Sequence, residues 1–143
     1  MIKPQVIQER LGRLSLYVER LREYETLTYE QFHESREAAL VTERILQVAT
    51  QIVIDISTHI VATASNKRPQ DYEEAIGLLG EIGALPSEFA NEIKAMAGFR
   101  NILVHGYMEI DETKVFDNMR RGLADFPRFA EYITGWMEKQ HLL

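Results

Sequence analysis

The chain has no cysteine among its 143 residues. This absence excludes disulfide bonds and thiolate chemistry, and it is compatible with a reducing cytoplasm. The first residues lack the apolar core of a secretory signal peptide. The most apolar stretch, Ile52 to Ala64, is too short to cross a bilayer and contains the polar residues Asp55 and His59. The sequence therefore predicts a cytoplasmic protein with no membrane segment.

The chain also lacks an excess of basic residues, since its formal net charge is −6. Broad, sequence-blind binding to nucleic acid normally requires a basic face, so the composition argues against that function. A small RNA-cutting site remains compatible with this charge. No acidic residue occurs between Ile93 and Met108, whereas Lys94 and Arg100 both lie in that segment.

The usual signatures of metal and cofactor sites are missing. The four histidines do not have zinc-ligand spacing, and there is no glycine-rich phosphate loop or serine nucleophile motif. Glu30 and His33 have the Glu-x-x-His spacing of di-iron bundles, but such sites need a second copy of that motif. We therefore predict a protein without a bound metal or cofactor.

Helical periodicity is the pattern that is present, and no segment has a convincing strand alternation. We predict an all-α protein, a mostly antiparallel bundle of about five helices that forms one domain over residues 1–143. The predicted helices span 6–22, 28–64, 71–83, 87–104 and 111–139, and Pro127 kinks or divides the last one. The predicted N-caps are Thr28, Asp71, Ser87 and Asp111, with Asp125 as a candidate cap after a break.

The segment from Arg100 to Tyr107 places a permanent cation, an imidazole and a phenol within eight residues. Arg100 falls on the apolar stripe of its predicted helix, where a charged guanidinium needs a partner, a ligand or an interface. One interpretation is a structural ion pair with Asp55. The other is a phosphate-binding group, because arginine can hold a phosphate through two parallel donors.

His105 does not share the stripe of Arg100, since five helical residues separate the two side chains by about 140°. Either Gly106 ends the helix and the chain turns His105 back, or the site combines residues from two chains. A second apolar patch of Ala95, Phe99 and Ile102 would give the helix a face for a partner copy.

Arginine and histidine suffice for RNA cleavage without a metal, because the 2′-hydroxyl of RNA can serve as the nucleophile. Histidine transfers protons near neutral pH, and arginine stabilises charge on the phosphoryl oxygens.

Two further pairs are candidates for minor roles. Asp55 and His59 lie one turn apart and are more readily explained as buried hydrogen-bonding groups than as metal ligands, and Arg120 and Arg121 could extend an RNA path.

The run from Arg100 to Tyr107, preceded by Met96-Ala97-Gly98-Phe99, resembles the Arg-x4-His-x-Tyr signature of HepT-like toxins in the HEPN superfamily of helical ribonucleases. The segment Ile54 to Ile60 resembles the polar-marked part of the second helix in that family. The resemblance covers nearly the whole chain in the order and size of its helices.

This resemblance implies a homodimeric, metal-independent ribonuclease toxin that acts on RNA. Arg100 and His105 would be the catalytic pair, and Asn101 and Asp55 would support them. The partner would be a minimal nucleotidyltransferase (MNT) antitoxin, which would block the toxin by attaching AMP to Tyr107. The alternative is a non-catalytic helical dimer that binds or regulates a nucleotidyltransferase and uses Arg100 only to contact phosphate.

Overall fold

Seven helices form the part of the chain that the computed structural model describes, which is every residue except Tyr107 and Glu109. They are α1 Pro4–Arg22, α2 Tyr29–Glu34, α3 Arg36–Ala64, α4 Tyr72–Ile82, α5 Ser87–Ile93, α6 Met96–His105 and α7 Glu112–Lys139. No strand occurs in these described residues. The prediction of an all-α fold is confirmed, and the additional helices arise where two predicted helices are interrupted.

Helix α3 is the centre of the bundle and packs against α1, α2, α4, α6 and α7. By length and composition α3 could cross a membrane, but 61% of its most apolar 18-residue window is buried inside the protein. Two of its buried hydroxyls have hydrogen-bond acceptors, one on α3 itself and one on α7. Ser57 Oγ donates to the carbonyl oxygen of Val53 at 2.7 Å, and Thr42 Oγ1 lies 3.8 Å from Met119 Sδ. A helix at the centre of a bundle is buried on several faces, because each face packs against another helix.

The predicted helix over 28–64 is two helices, because the chain is interrupted at Ser35. The predicted capping box at Thr28 is confirmed, since Thr28 and Gln31 each accept from the other's backbone N–H. Ser35 is extended, with φ −91° and ψ 97°, and its Oγ accepts from the N–H of Ala38 at 3.1 Å. A serine side chain that caps a new helix offers the backbone an alternative to continuing the old one.

The predicted helix over 87–104 is also two helices, α5 and α6. The backbone at Lys94 and Ala95 stays in the right-handed helical region, but the N–H groups of Ala97 and Gly98 bond to carbonyls three residues back. This tighter turn separates the two helices without proline. The prediction that Ser87 is the N-cap is wrong. Pro86 occupies that position, and Ser87 Oγ lies 3.5 Å from the carbonyl oxygen of Gly80.

Of the two features predicted for α7, the N-cap at Asp111 is confirmed and the division at Pro127 is not. Asp111 is the N-cap as predicted, and the hydrogen bonds from Thr113 hold the pKa of Asp111 below its ordinary value. The predicted division at Pro127 is wrong, because α7 runs through it. Asp125 lies inside the helix, 3.7 Å from Arg128, and caps nothing. Buried Phe126 and Phe129 flank the proline, so packing holds the helix together there.

Candidate active site

Helix α6 carries the Arg100–His105 segment and presents a distinct exposed face. The buried side chains of α6 are Ala97 and Leu103. On a period of 3.6 residues, the exposed residues all fall within an arc of about 120° on the opposite side. They are Gly98, Asn101, Ile102 and His105, together with the N-cap Ala95. We call this surface the α6 face.

Arg100 projects from the buried side of α6, as the sequence pattern predicted. Its Nε is buried and has no hydrogen-bond acceptor among residues 1–106, 108 and 110–143. At its outer end, Nη1 donates to Asn101 Oδ1 at 3.3 Å. The guanidinium therefore extends from the interior towards the α6 face, where Asn101 is exposed.

The predicted ion pair between Arg100 and Asp55 is wrong. Asp55 Oδ1 instead accepts from Gln51 Nε2 at 2.9 Å, one turn earlier on α3. The hydrogen bond to Asp55 therefore comes from its own helix and not from α6. In the described part of the chain Arg100 makes no ion pair within 4.0 Å, so its charge is not neutralised by the fold there.

His105 is the last residue of α6 and is exposed. Gly106 ends the helix as predicted, and its N–H donates to the carbonyl oxygen of Ile102 at 2.8 Å. Because His105 still has helical geometry, the chain does not turn its side chain back, and it leaves the helix about 140° away from Arg100. Of the two arrangements considered from the sequence, the one in which the chain turns His105 back does not occur, because His105 is still part of the helix. Tyr107 lies outside the described residues.

Two of the three residues of the second apolar patch predicted on this helix are exposed. Ile102 is 42% exposed and Ala95 is exposed, whereas Phe99 is half-buried and packs against the core. Gly98 lies at the edge of this patch, and a Cβ at Gly98 would meet no atom of the described residues within 4 Å. An exposed apolar surface with a small residue at its edge allows another helix to approach closely.

A polar cleft of about 490 Å³ lies along α6, between Asn101 and the N-terminal end of α4. Its walls include Asp71, Tyr72 and Glu73 from α4 and its cap. The sequence predicts Asp71 only as an N-cap. This prediction is confirmed, because Asp71 Oδ1 accepts from the N–H of Glu74 at 2.7 Å. The sequence does not predict this cleft, because no local pattern indicates that α4 packs beside α6.

The remaining sequence candidates divide between structural and surface positions. Arg120 lies over the ring of Phe116 at 5.0 Å, with Nη2 3.5 Å from the carbonyl oxygen of Leu27, so it is engaged in packing. Arg121 lines a narrow crevice beside Phe99. His59 Nε2 accepts from the backbone N–H of Lys3 at 3.1 Å. Among the described residues, no three His, Asp or Glu side chains cluster as metal ligands.

The sequence matches the family described as ribonuclease HepT-like over residues 14–133. The chain belongs to the HepT-like ribonuclease family. A tRNA nuclease HepT from Aphanizomenon flos-aquae is 33% identical over 136 residues, which are 95% of this chain and 92% of that relative. An mRNA nuclease HepT from Shewanella oneidensis is 31% identical over 88 residues, which are 62% of this chain and 66% of that relative. The predicted class of activity, a HepT-like ribonuclease, is confirmed at this level.

Solved structures share the HepT-like fold of this chain. YutE, a cytosolic protein of unknown function from Bacillus subtilis, superposes with a TM-score of 0.84 at 15% identity, over 97% of this chain and 93% of YutE. A tri-AMPylated HEPN toxin from Shewanella oneidensis, solved in complex with an MNT antitoxin, superposes with a TM-score of 0.80 at 24% identity. That match covers 94% of this chain and 99% of the toxin. The HEPN-like fold is therefore established.

Proposed function

We propose that this HepT-like protein is an RNA-cleaving toxin that acts in the cytoplasm as a homodimer of single-domain chains, residues 1–143. The observation that carries the proposal is the arrangement of Arg100 and His105 on α6. Arg100 extends a guanidinium without an ion-pair partner among the described residues towards Asn101, and His105 is exposed on the same helix. These groups can hold a phosphate and move protons.

The homodimer is proposed to form through the α6 face. Ile102 and Ala95 supply exposed apolar surface, and Gly98 leaves room for close approach of a second helix. In a two-fold dimer each copy contributes the same patch, so Arg100 of one chain would face His105 of the other across a shared cleft. The two side chains leave α6 about 140° apart within a copy, and a second copy would place another histidine opposite each guanidinium.

The proposed reaction is transesterification at an RNA phosphodiester. His105 of one chain removes the proton from the 2′-hydroxyl, whose oxygen forms a bond to the adjacent phosphorus. The bond from phosphorus to the 5′-oxygen breaks, and that oxygen takes up the proton that the same His105 has removed, so each Arg100–His105 pair works as one site. The products are a 2′,3′-cyclic phosphate and a 5′-hydroxyl. Arg100 stabilises charge on the phosphoryl oxygens, and Asn101 orients the guanidinium through its hydrogen bond.

The proposed partner is a minimal nucleotidyltransferase antitoxin that attaches AMP to Tyr107. Support comes from the Arg-x4-His-x-Tyr pattern of this sequence and from the HEPN toxin of similar fold, which was solved tri-AMPylated and with an MNT antitoxin. An AMP group on a residue only two positions after His105 would compete with RNA phosphate for Arg100, because both ligands are anionic.

A single assay tests the catalytic proposal. The purified chain and its His105→Ala variant are incubated with total cellular RNA in EDTA, and the new ends are analysed. We expect the wild type to leave 2′,3′-cyclic phosphates and the variant to lose about 10²-fold or more in rate, the usual contribution of one acid–base group. Equal cleavage by both proteins would overturn the catalytic role of His105. Absence of cleavage by both would favour the non-catalytic dimer.

A further inference from the structure

An apolar groove of about 590 Å³ runs between α1 and α3, away from the α6 face. No residue of α6 lines it. Leu16 of α1 is 72% exposed and Leu40 of α3 is 53% exposed, and the two side chains lie on its walls. Large apolar side chains that are exposed next to one another at a groove are characteristic of a binding surface.

Three arginines surround this apolar groove, which is unexpected in a chain with a net charge of −6. Arg20 is partly neutralised, since it lies 2.8 Å from Glu23 and 3.5 Å from Glu37. Arg13 and Arg44 make no ion pair within the described residues. The rim therefore presents two cations that the fold leaves available.

We propose that this groove is the docking site of the nucleotidyltransferase antitoxin and receives a helix with apolar residues along one stripe and Asp or Glu beside it. An apolar floor with a charged rim is complementary to an amphipathic helix of the opposite charge. The inference rests on the proposed function, which supplies the partner. It adds where on this chain the antitoxin binds and which kinds of side chain the antitoxin presents there.

Two other occupants agree less well with the same residues. A second copy related by two-fold symmetry would place the cationic rim of one chain against the same rim of the other, and like charges repel. RNA would meet Arg13 and Arg44, but the exposed side chains of Leu16 and Leu40 offer no hydrogen bonds to phosphate or sugar. The groove therefore favours an acidic, amphipathic protein segment.

The test compares two charge-reversed variants in binding to the minimal nucleotidyltransferase encoded beside the gene. Arg13→Glu/Arg44→Glu changes the rim, and Arg10→Glu/Arg36→Glu is the matched control, because these two arginines lie on the same two helices outside the groove and also make no ion pair among the described residues. We expect the rim variant to bind about tenfold or more weakly by calorimetry, with the control close to wild type. The affinity of the wild type should also fall with salt more steeply than that of an Arg13→Gln/Arg44→Gln variant.

RNA cleavage and oligomeric state separate this inference from the proposed function. The rim variant should cleave RNA like the wild type, remain a dimer and resist inhibition by the nucleotidyltransferase. Wild-type binding by the rim variant would overturn the docking site, as would its dissociation into monomers or a loss of RNA cleavage. Hydrogen exchange provides a readout without mutation, because complex formation should protect residues 13–20 and 40–45. Failure of the wild type to bind the nucleotidyltransferase would overturn both the docking site and the proposed partner.

Discussion

Arg100 and His105 lie five residues apart on the same helix, and their side chains leave α6 about 140° from each other. Arg100 has a buried Nε and an outer end that reaches Asn101, whereas His105 is exposed at the end of the helix. The two side chains thus leave the helix in different directions, although the guanidinium reaches Asn101, which lies one turn before His105. Two copies packed through the α6 face would bring an arginine and a histidine from different chains together.

The geometry of Arg100 predicts that its replacement by lysine is not conservative. Lysine keeps the charge but cannot hold a phosphate with two parallel donors or keep the same bond to Asn101. We expect Arg100→Lys to lower kcat/KM for RNA by about tenfold or more, the scale of one charge-assisted hydrogen bond. Initial rates on a fluorescent RNA measure the loss, and circular dichroism checks the fold. Wild-type rates for Arg100→Lys would contradict bidentate binding.

The α6 face predicts a homodimer that a single charge disrupts. Replacing the 42%-exposed Ile102 by glutamate should weaken the dimer about tenfold or more, because a charge at an apolar interface loses its hydration. RNA cleavage should fall in parallel. Leu40→Glu is the control, since Leu40 is 53% exposed on α3, away from the α6 face. Light scattering at micromolar concentration measures both variants, and an unchanged dimer of Ile102→Glu would contradict the interface.

Tyr107 is predicted to be the residue that the antitoxin modifies. Protein produced together with the nucleotidyltransferase should carry one or more AMP masses on the peptide containing Tyr107 and should not cleave RNA. Tyr107→Phe should escape this inhibition, because it lacks the phenol oxygen that would bond to phosphorus. Peptide mass spectrometry locates the modification. An adduct confined to another residue, or inhibition of Tyr107→Phe with no adduct, would remove Tyr107 from this role.

We expect the titration of His59 to lower the free energy of unfolding in mild acid. Partial burial and the positive charges of Lys3, the N-terminus and Arg10 lower the pKa of His59 from its ordinary value of 6.5. The unfolded chain then binds more protons between the two pKa values, so the free energy of unfolding decreases as pH falls through about 6.5.

Removing this titration should flatten the pH dependence. We expect His59→Gln to lose less stability than the wild type between about pH 7.5 and pH 5.5, as measured by urea midpoints. His141→Gln controls for the loss of one histidine. Identical pH profiles for the wild type and His59→Gln would contradict the assigned role.

Local sequence signals predicted the parts of the fold that depend on neighbouring residues. The caps at Thr28, Asp71 and Asp111 were predictable, because each side chain bonds to a backbone N–H two or three residues later. The apolar stripe likewise placed Arg100 on the buried side of its helix. The break at Ser35 was missed, since the serine competes with the helix through a local hydrogen bond that periodicity does not detect.

Features that depend on tertiary packing were not predictable. Pro127 does not divide α7, because the buried aromatic residues around it outweigh one lost hydrogen bond. Asp55 was expected to pair with Arg100, but the hydrogen bond to Asp55 comes from Gln51 on its own helix. The cleft beside Asn101 and the arginine-lined groove each require two helices that are distant in sequence.

The central claim is that Arg100 and His105 from different chains form one active site, and a heterodimer tests it most directly. An Arg100→Ala chain and a His105→Ala chain with different tags are co-expressed, and the mixed dimer is isolated by purification on both tags. It retains one intact Arg100–His105 pair if the pair spans the interface, so we predict about half of wild-type RNA cleavage, well above either mutant homodimer. Mixed-dimer activity no higher than that of the mutant homodimers would contradict the claim.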